Sequence, residues 1–404
     1  MKDAPSPNGP PEERGLAGRN ICVVYDCLFP LTLGGAERWY RSLVDHLVAA
    51  GANVTYLTRR QWSTDGPEWS GVKVIDVSGA SELYDSSGVR RTAPAVAFGF
   101  GTFGWMLRHR REFDAVVVAS FPFFSLLGLR CALWGSPTPI FVDYFEVWSS
   151  NYWKAYAGWF TGTVGNAIQK LCIVTTRFAQ VFTPQSAQQL RSLGFRGNLT
   201  ILSGLLSSSP GTVDLPSSTP PDPPSVLFVG RHVRHKGVRL LPQILHATRS
   251  SLPGLQMTIV SDGPERLGVE NDMEQLGVRD AVTFAGSVSD EKLRTLFANA
   301  SCTVVPSIRE GYGLVVAESV AAGTPVVVAN NPENLATNLV EEGVNGFVVE
   351  PSVYGMARGI IAVVSSGAPL RASTYQWSIH HSAAKSMDRS ANEMVERLSK
   401  LRRH

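Results

Sequence analysis

The stretch VVPSIREGYGLVVAESVAAGTPVV (304–327) contains the strongest local pattern in the chain. A short apolar run is followed by a glycine-rich turn, and the apolar segment that starts at Leu314 is stopped by Gly323. This order predicts a strand, a turn, a helix and then a second strand from Pro325. Near Gly313 and Leu314 the first N–H groups of the helix would point outward, ahead of the positive end of the helix dipole. The stretch therefore predicts a site for a phosphate-bearing ligand.

Two carboxylates in this stretch, Glu310 and Glu318, predict contacts with hydroxyl groups. Glu310 would lie on the loop before the helix and Glu318 on the helix itself. A carboxylate only accepts hydrogen bonds, so the hydroxyls of a ribose or a hexose suit it better than a phosphate does. An isolated pair at this spacing is more often two surface charges, but the flanking PS-x-x-EGYGL and AAGTPVV patterns favour a binding site. Phosphate at the helix start with hydroxyls on either side describes a sugar nucleotide.

Composition places the chain among α/β enzymes of two to three domains, with 404 residues, 44% of them hydrophobic and 18% charged. The formal net charge of +3 is too small to indicate a nucleic-acid partner. The five cysteines are scattered, several in apolar runs, which predicts buried thiols and a reducing cytosol. His232 and His235 form an H-x-x-H pair inside a loop, where metal binding is not expected, and no metal site or other cofactor is predicted.

The alternation of strands and helices predicts two doubly wound Rossmann-like domains facing a central cleft, each with a parallel sheet covered by helices. The boundaries fall at changes of composition. They give a disordered tail over 1–20, a first domain over 21–206, a Pro/Ser-rich linker over 207–225, a second domain over 226–375 and a helix over 376–404. The carboxyl ends of both sheets are expected to face the cleft.

Five motifs resemble the signature of the retaining glycosyltransferase family 4, whose members have the GT-B fold. They are GGAER (34–38), LFVGRHVRHKG (227–237), SDGPE (261–265), FAGSV (284–288) and PSIREGYGLVVAESVAAGTPVV (306–327). Their order along nearly the whole chain after the first twenty residues argues against chance agreement. The resemblance implies a nucleotide-sugar donor, transfer with retention, and a last helix that packs back on the first domain.

The resemblance also assigns individual residues to the donor. Arg231 and Lys236 would converge on the diphosphate and stabilise the negative charge that develops as the sugar–phosphate bond breaks, without a metal ion. Glu318 would hold the ribose hydroxyls, and Glu310 those of the transferred sugar. The other donor-side positions lie in the turns and the base-binding strand end, and they are Gly34, Gly35, Gly286, Val288, Gly311, Tyr312, Gly313 and Leu314. The glycines at 34 and 35 would let the backbone approach the ligand without a Cβ.

Two positions depart from the family pattern. Many members read HEVW at the end of a first-domain strand, whereas this chain reads FEVW, with Phe145 in place of the histidine. A phenyl ring cannot transfer a proton as an imidazole does. Three explanations stay open. The diphosphate itself assists the proton transfer, Asp143 or Glu146 takes the role of the histidine, or the chain transfers sugar poorly. The second departure is LTILSGLL (199–206) in place of a P-N-G turn, so the acceptor-side loop is expected to differ.

Two aromatic and apolar stretches, at 94–107 and 121–135, are too short to span a bilayer. They predict either two buried helices or a surface that docks on a membrane to reach a lipid-linked acceptor. Trp148, Tyr152 and Trp153 suit an acceptor site because aromatic faces stack on sugar rings, although packing explains them equally. The acceptor stays open among a glycan, a lipid-linked molecule and a small molecule. The predicted localisation is cytoplasmic, with peripheral contact to the inner face of the membrane as the alternative.

The sequence thus predicts a retaining glycosyltransferase that moves a sugar from a nucleotide-diphosphate sugar to an unidentified acceptor. Two alternatives stay open. A nucleotide-sugar epimerase shares the fold and would release an altered sugar without an acceptor. A catalytically silent partner protein would keep the fold without the reaction, and Phe145 favours it.

Overall fold

The computed structural model describes residues 15–32, 34–63, 65–83, 90–206, 221–382 and 384–401. The chain divides into two compact units. Unit 1 comprises Met1–Asp85, Val89–Ser203 and Met387–His404, and unit 2 comprises Ser86–Gly88 and Gly204–Ser386. The predicted tail ends earlier than expected, because Leu16 is fully buried and the first strand begins at Asn20. Most of the predicted linker, 207–220, and the tail up to residue 14 lie outside the described residues.

Unit 1 is built on a seven-stranded parallel sheet. Its strands are β1 (Asn20–Val24), β2 (Asn53–Arg59), β3 (Val72–Ser78), β4 (Ala115–Ala119), β5 (Ile140–Asp143), β6 (Phe178–Val181) and β7 (Asn198–Ile201). They follow the order β3-β2-β1-β4-β5-β6-β7. All five residues of β4 are buried, as expected for a parallel strand covered on both faces. The strand order reverses between β1 and β4, which is where doubly wound sheets bind ligands.

Six helices lie between these strands. They are α1 (Gly35–Ala49), α2 (Thr92–His109), α3 (Phe123–Ala132), α4 (Ser150–Ala157), α5 (Trp159–Thr175) and α6 (Pro184–Ser192). Helix α2 contacts α3, and α3 contacts α5, so these three form one layer. Helices α2 and α3 are the two apolar stretches noted in the sequence, and most of their large side chains, such as Phe98, Met106 and Leu126, lie in the core. The two stretches therefore form helices with a buried inner face, whereas Phe100 and Leu107 of α2 are exposed.

Unit 2 is built on a six-stranded parallel sheet. Its strands are β8 (Ser225–Val229), β9 (Gln256–Val260), β10 (Val282–Gly286), β11 (Cys302–Val305), β13 (Val326–Ala329) and β15 (Gly346–Val349), and two short strands, β12 (Arg309–Glu310) and β14 (Glu333–Asn334), pair separately. The sheet order is β10-β9-β8-β11-β13-β15. The order reverses between β8 and β11, so unit 2 repeats the doubly wound plan of unit 1.

The helices of unit 2 are α7 (Leu241–Arg249), α8 (Arg266–Gln275), α9 (Asp290–Ala298), α10 (Leu314–Ala321) and α11 (Val353–Ser382). Of the helices in the described residues, α11 alone has the length and apolar composition needed to cross a membrane. It is interrupted at Gly367, whose backbone is not helical, and it contacts α7 and β13. Its Met356 and Ile360 are fully buried. These contacts identify α11 as a core helix of unit 2.

The last helix, α12 (Met387–Ser399), belongs to unit 1 and contacts α1. The sequence predicted a single helix over 376–404, and this prediction is wrong at its start, because 376–382 is the end of α11. Ser386 forms a parallel bridge with Leu206, whose N–H donates to the carbonyl of Lys385.

One further prediction needs correction. Cys131 is exposed on the outer side of α3, whereas the other four cysteines are buried as predicted. The segment 199–206, which replaces the P-N-G turn of the family pattern, begins inside β7, and β7 pairs in parallel with β6.

Candidate functional site

The predicted donor residues of unit 2 follow two neighbouring strands, β8 and β11. Arg231 and Lys236 lie after β8, and Glu310 lies after β11. Because the strand order reverses between β8 and β11, their helices pack on opposite faces of the sheet and the loops diverge. The carboxyl edge at this point is therefore the expected ligand position within unit 2.

The two loops are fastened to each other by backbone contacts. The N–H of Ile308 donates to the carbonyl of His235 at 2.9 Å. Gly237 has a φ of 71°, and a Cβ at this position would collide with the carbonyl of Pro306. Only glycine combines this left-handed backbone with so close an approach. The contact fixes Lys236 against the loop that carries Glu310.

Lys236 and Glu310 form a bidentate ion pair. The Lys236 Nζ donates to Glu310 Oε1 at 2.8 Å and to Oε2 at 2.9 Å, and Ser307 Oγ donates to Oε1 at 2.7 Å. The side chains are 23% and 13% exposed, respectively. From the sequence, these two residues were assigned separate tasks, and their pairing was not predicted. A lysine ammonium has three N–H donors, so one remains for a ligand oxygen after two go to Glu310.

Two asparagine side chains form hydrogen bonds to the backbone of the segment that leads to Glu310. The Nδ2 atoms of Asn331 and Asn334 donate to the carbonyl of Ser307 at 3.0 and 3.2 Å. Glu310 itself lies on β12, paired with Asn334 of β14, and not on a free loop as predicted. Sequence reasoning missed both asparagines. Their position just after β13, at the same carboxyl edge, was the available signal.

The start of α10 has the geometry of an anion site. Gly313 precedes the helix with a φ of 100°, and a Cβ there would lie 2.5 Å from the Cβ of Ala336. Because Gly313 has no side chain, it supplies no hydrogen-bond acceptor to the first turn of α10, which begins at Leu314. Tyr312 is buried, which raises the pKa of its phenol, so it stays neutral. Glu318 lies one turn further on and is half-buried.

The remaining donor-side positions lie along the same edge. Gly286 ends β10 with a φ of 64°, and its carbonyl accepts a hydrogen bond from the N–H of Ser261 at 2.7 Å. Val288 is half-buried against a small apolar cluster, and Arg231 is half-buried at the start of its loop. Gly311 lies between Glu310 and Tyr312 and is also half-buried. The structure joins Lys236 to Glu310 by direct contact and places the other positions at the ends of adjacent elements.

His232 has a packing role in the same loop. Its side chain is fully buried, with Phe228 and Phe284 as neighbouring rings. Burial lowers the pKa of its imidazole, so the ring is neutral. Its backbone N–H donates to the carbonyl of Asp262 at 2.9 Å. In the described part of the chain no three His, Cys, Asp or Glu side chains form a group that could hold a metal.

The glycine pair of unit 1 lies at the start of α1. Gly34 precedes α1 and Gly35 begins it, and the backbone of Gly34 is extended. A Cβ on Gly34 would collide with the carboxylate of Glu37, which folds back over the helix start. Glu37 is buried, and its burial raises the pKa of that carboxyl group against an opposing backbone hydrogen bond. The room left by the missing Cβ at Gly34 is therefore taken by Glu37.

Asp143, proposed from the sequence as a stand-in for the missing histidine, has no exposed surface. Trp39 Nε1 donates to its Oδ2 at 2.9 Å. Burial raises the pKa of this carboxyl group to about 7, although the bond from Trp39 opposes the rise. A side chain without accessible surface cannot contact a substrate in this conformation. The geometry gives Asp143 a structural role in unit 1.

Phe145 lies in an aromatic cluster at the end of β5. Its ring stacks on Phe182 with centroids 5.4 Å apart and meets Tyr40 edge-on at 5.9 Å. Glu146, the second predicted stand-in, is exposed, and its Oε2 accepts a hydrogen bond from Trp148 Nε1 at 2.7 Å. Of the two carboxylates offered by the sequence, only Glu146 has access to a ligand.

Comparison with known proteins agrees with this geometry. The family model described as glycosyl transferases group 1 matches residues 215–377. A structure of the sucrose-phosphate synthase from Thermosynechococcus elongatus superposes with a TM-score of 0.78, covering 95% of this chain and 99% of that one at 20% identity. The fold is GT-B.

Curated relatives extend the comparison. The lipopolysaccharide core biosynthesis glycosyltransferase LpsE of Rhizobium meliloti is 27% identical over 337 residues, which cover 82% of this chain and 86% of LpsE. The uncharacterized glycosyltransferase MJ1607 of Methanocaldococcus jannaschii is 37% identical over 149 residues, only 36% of each chain. The match to the group 1 family model and the similarity to these glycosyltransferases support the assignment of this protein to the transferases (EC 2.4).

Proposed function

We propose that the protein is a retaining glycosyltransferase of family 4 that transfers a sugar from a nucleoside-diphosphate donor to a hydroxyl acceptor. The observation that carries the proposal is the Lys236–Glu310 pair beside the start of α10, at the reversal point of the unit 2 sheet. The cation and the helix start suit the diphosphate of a sugar nucleotide, and the carboxylate suits its hydroxyl groups. The five sequence motifs support family 4 and retention.

The charges of the site suit departure of a diphosphate. When the bond between the anomeric carbon and the diphosphate oxygen breaks, negative charge grows on the leaving group. Lys236, Arg231 and the first N–H groups of α10 are fixed in the fold before the reaction and so stabilise that charge without reorganisation. The acceptor oxygen forms the new bond to the anomeric carbon, and its proton passes to the diphosphate. No metal ion is needed for this step, and we propose a metal-independent reaction.

Glu310 has a positioning task in this scheme. Its Oε1 already accepts from Lys236 and Ser307, while its Oε2 accepts only from Lys236. The remaining lone pairs can accept hydroxyls of the transferred sugar. The ion pair orients the carboxylate and prevents it from repelling the diphosphate. Glu318, half-buried on α10, is proposed to hold the ribose hydroxyls in the same way.

We propose that no protein side chain replaces the missing histidine at position 145. Phe145 is packed between rings, Asp143 is buried and the exposed Glu146 accepts a hydrogen bond from Trp148, so we propose the diphosphate itself as the base for the acceptor hydroxyl. A glycan or lipid-linked glycan is proposed as the acceptor, because LpsE is named for lipopolysaccharide core biosynthesis. A cytoplasmic location is proposed from the buried thiols at four of the five cysteines.

The first test is release of nucleoside diphosphate from a panel of UDP-, GDP-, dTDP- and ADP-sugars, with a thermal-shift measurement on each. We expect one donor class to stabilise the protein and to be hydrolysed slowly. The substitutions Glu310→Gln and Lys236→Ala should each lower kcat/KM by about 10²-fold or more while the fold is kept. Undiminished turnover in both variants would overturn the assignment.

Phe145 favours a second candidate, a catalytically silent partner protein, and the same panel separates the two. Stabilisation by a donor without release, even with glycan acceptors present, supports the silent partner. Phe145→His provides a further readout. A rise in rate in this variant would show that the wild-type chain lacks a proton acceptor at this position.

A further inference from the structure

Helix α5 carries apolar side chains on the side that faces solvent as well as on its buried side. Its buried residues are Gly162, Gln169, Cys172 and Ile173, and the polar Gln169 is used inside unit 1, where it accepts from and donates to the backbone of Trp148. The exposed residues at helical spacing form the outer stripe of α5, namely Phe160, Val164, Ala167, Leu171 and Val174. A helix on the surface of a globular protein ordinarily has a polar outer face, so this apolar outer stripe is unusual.

The outer stripe is part of a larger apolar surface. In the described part of the chain fourteen large apolar side chains are exposed, and eight of them lie on or beside the layer of α2, α3 and α5. Those eight are Phe100, Leu107, Trp134, Trp159, Phe160, Val164, Leu171 and Val174. Phe160 is 73% and Trp134 is 85% exposed. A concentration of this kind on one layer marks an interaction surface, since single exposed apolar residues are otherwise scattered.

The charges on the helices of this surface are positive, and the exposed anions beside them in the chain are Glu112, after α2, and Glu146, before α4. Helices α2, α3, α4 and α5 contain no Asp or Glu, and the chain has none from Val147 to Val213. Exposed cations flank the surface instead, with Arg108 at the end of α2, Lys154 on α4, Lys170 on the outer side of α5 and Arg177 just after it. Aromatic and aliphatic side chains bordered by cations complement a lipid surface with anionic headgroups.

We propose that the outer stripe of α5, with Phe100, Leu107 and Trp134 of the same layer, docks unit 1 on an anionic lipid surface. The apolar side chains enter the boundary between headgroups and acyl chains, and the flanking cations contact the headgroups. Charge complementarity selects this occupant, because a second copy of the chain would place these cations against each other. The surface is independent of the donor site in unit 2.

The test is sedimentation with vesicles of phosphatidylcholine, alone or mixed with phosphatidylglycerol, in the absence of any sugar nucleotide. We expect the wild-type chain to bind the mixed vesicles, and raised salt to weaken this binding. Phe160→Asp and Leu171→Asp should each lower the partition coefficient about tenfold or more, since each removes one apolar side chain that enters the lipid. Leu267→Asp is the matched control, because Leu267 is 74% exposed on α8 of unit 2.

The proposal is overturned if the wild-type chain stays in solution with both vesicle types, or if the α5 variants bind as well as Leu267→Asp does. Light scattering of the same proteins tests whether a second copy of the chain occupies this surface instead. A self-associated wild-type chain that becomes monomeric in Phe160→Asp, without vesicle binding, would make the stripe an interface between copies. Because the vesicles carry no substrate, these results do not depend on the proposed sugar transfer.

Discussion

At the scale of single residues, the burial of Asp143 has a consequence for stability. Burial raises the pKa of this carboxyl group to about 7 in the folded chain, from an ordinary value near 3.8. The folded state therefore keeps a proton that the unfolded state has lost between these two pH values. Since the unfolded state binds fewer protons there, stability falls as pH rises from about 4 to 7 and levels off above 7.

We predict that Asp143→Asn removes this fall, because an amide does not titrate and its oxygen can still accept the hydrogen bond from Trp39. Relative to the wild type, the variant should gain roughly 2–4 kcal/mol of unfolding free energy between pH 4 and pH 7. Urea unfolding followed by tryptophan fluorescence across this range measures the difference. Asp65→Asn, at an exposed position of the same unit, is the control. Parallel curves for wild type and Asp143→Asn would contradict the raised pKa.

Single residues also show what local sequence patterns can and cannot predict. Gly313, Leu314 and the strand–turn–helix order around Glu310 follow from glycine, proline and apolar spacing within a few residues, and the structure has them as predicted. The ion pair of Lys236 with Glu310 joins positions 74 residues apart. This ion pair forms because β8 and β11 are neighbours in the sheet. A local sequence pattern does not predict which strands pair. The burial of Asp143 was missed for the same reason.

At the scale of elements, the outer stripe of α5 shows a second limit. Apolar spacing in this segment predicts an amphipathic helix equally well whichever face is buried. Which face packs is decided by the small residues Gly162 and Gly165, against which the backbone and ring of Trp153 lie too close for a Cβ. A pattern of apolar residues therefore indicates a helix, and the small residues indicate its inner side.

The start of α10 provides a prediction about an element. Gly313→Ala should shift the first turn of the helix, because the new Cβ would overlap Ala336 in addition to the strain of a φ of 100°. We expect a loss of about 2–4 kcal/mol in stability and, since the N–H groups are displaced, a loss of donor-induced thermal stabilisation. Calorimetry with and without the donor found in the panel measures both.

Gly343→Ala is the matched control for this substitution. Gly343 has a φ of 72° in the same unit, but a Cβ there meets no atom within 4 Å. It should cost only the backbone strain, about 1–2 kcal/mol, and leave donor stabilisation intact. Equal effects of the two substitutions on donor stabilisation would show that the position of the α10 start does not matter for binding.

At the scale of the whole molecule, the chain returns to unit 1 after completing unit 2. Helix α12 contacts α1, and its Ala391, Met394 and Leu398 are fully buried. Glu393 accepts hydrogen bonds from the N–H of Ser203 at 3.1 Å and from its hydroxyl at 2.5 Å. Unit 1 therefore includes a helix that follows unit 2 in the chain and packs on α1.

The last prediction concerns the dependence of unit 1 on α12. Met394→Ala should lower the unfolding free energy of unit 1 by about 2–5 kcal/mol, because it leaves a cavity against a fully buried surface. Hydrogen exchange read by mass spectrometry should then become faster in peptides of α1 and unchanged in peptides of β8 to β11. Met394→Leu, which conserves volume, should cost less than about 1.5 kcal/mol. If exchange rose equally in the unit 2 peptides, α12 would stabilise both units, and the assignment of its packing to unit 1 alone would be wrong.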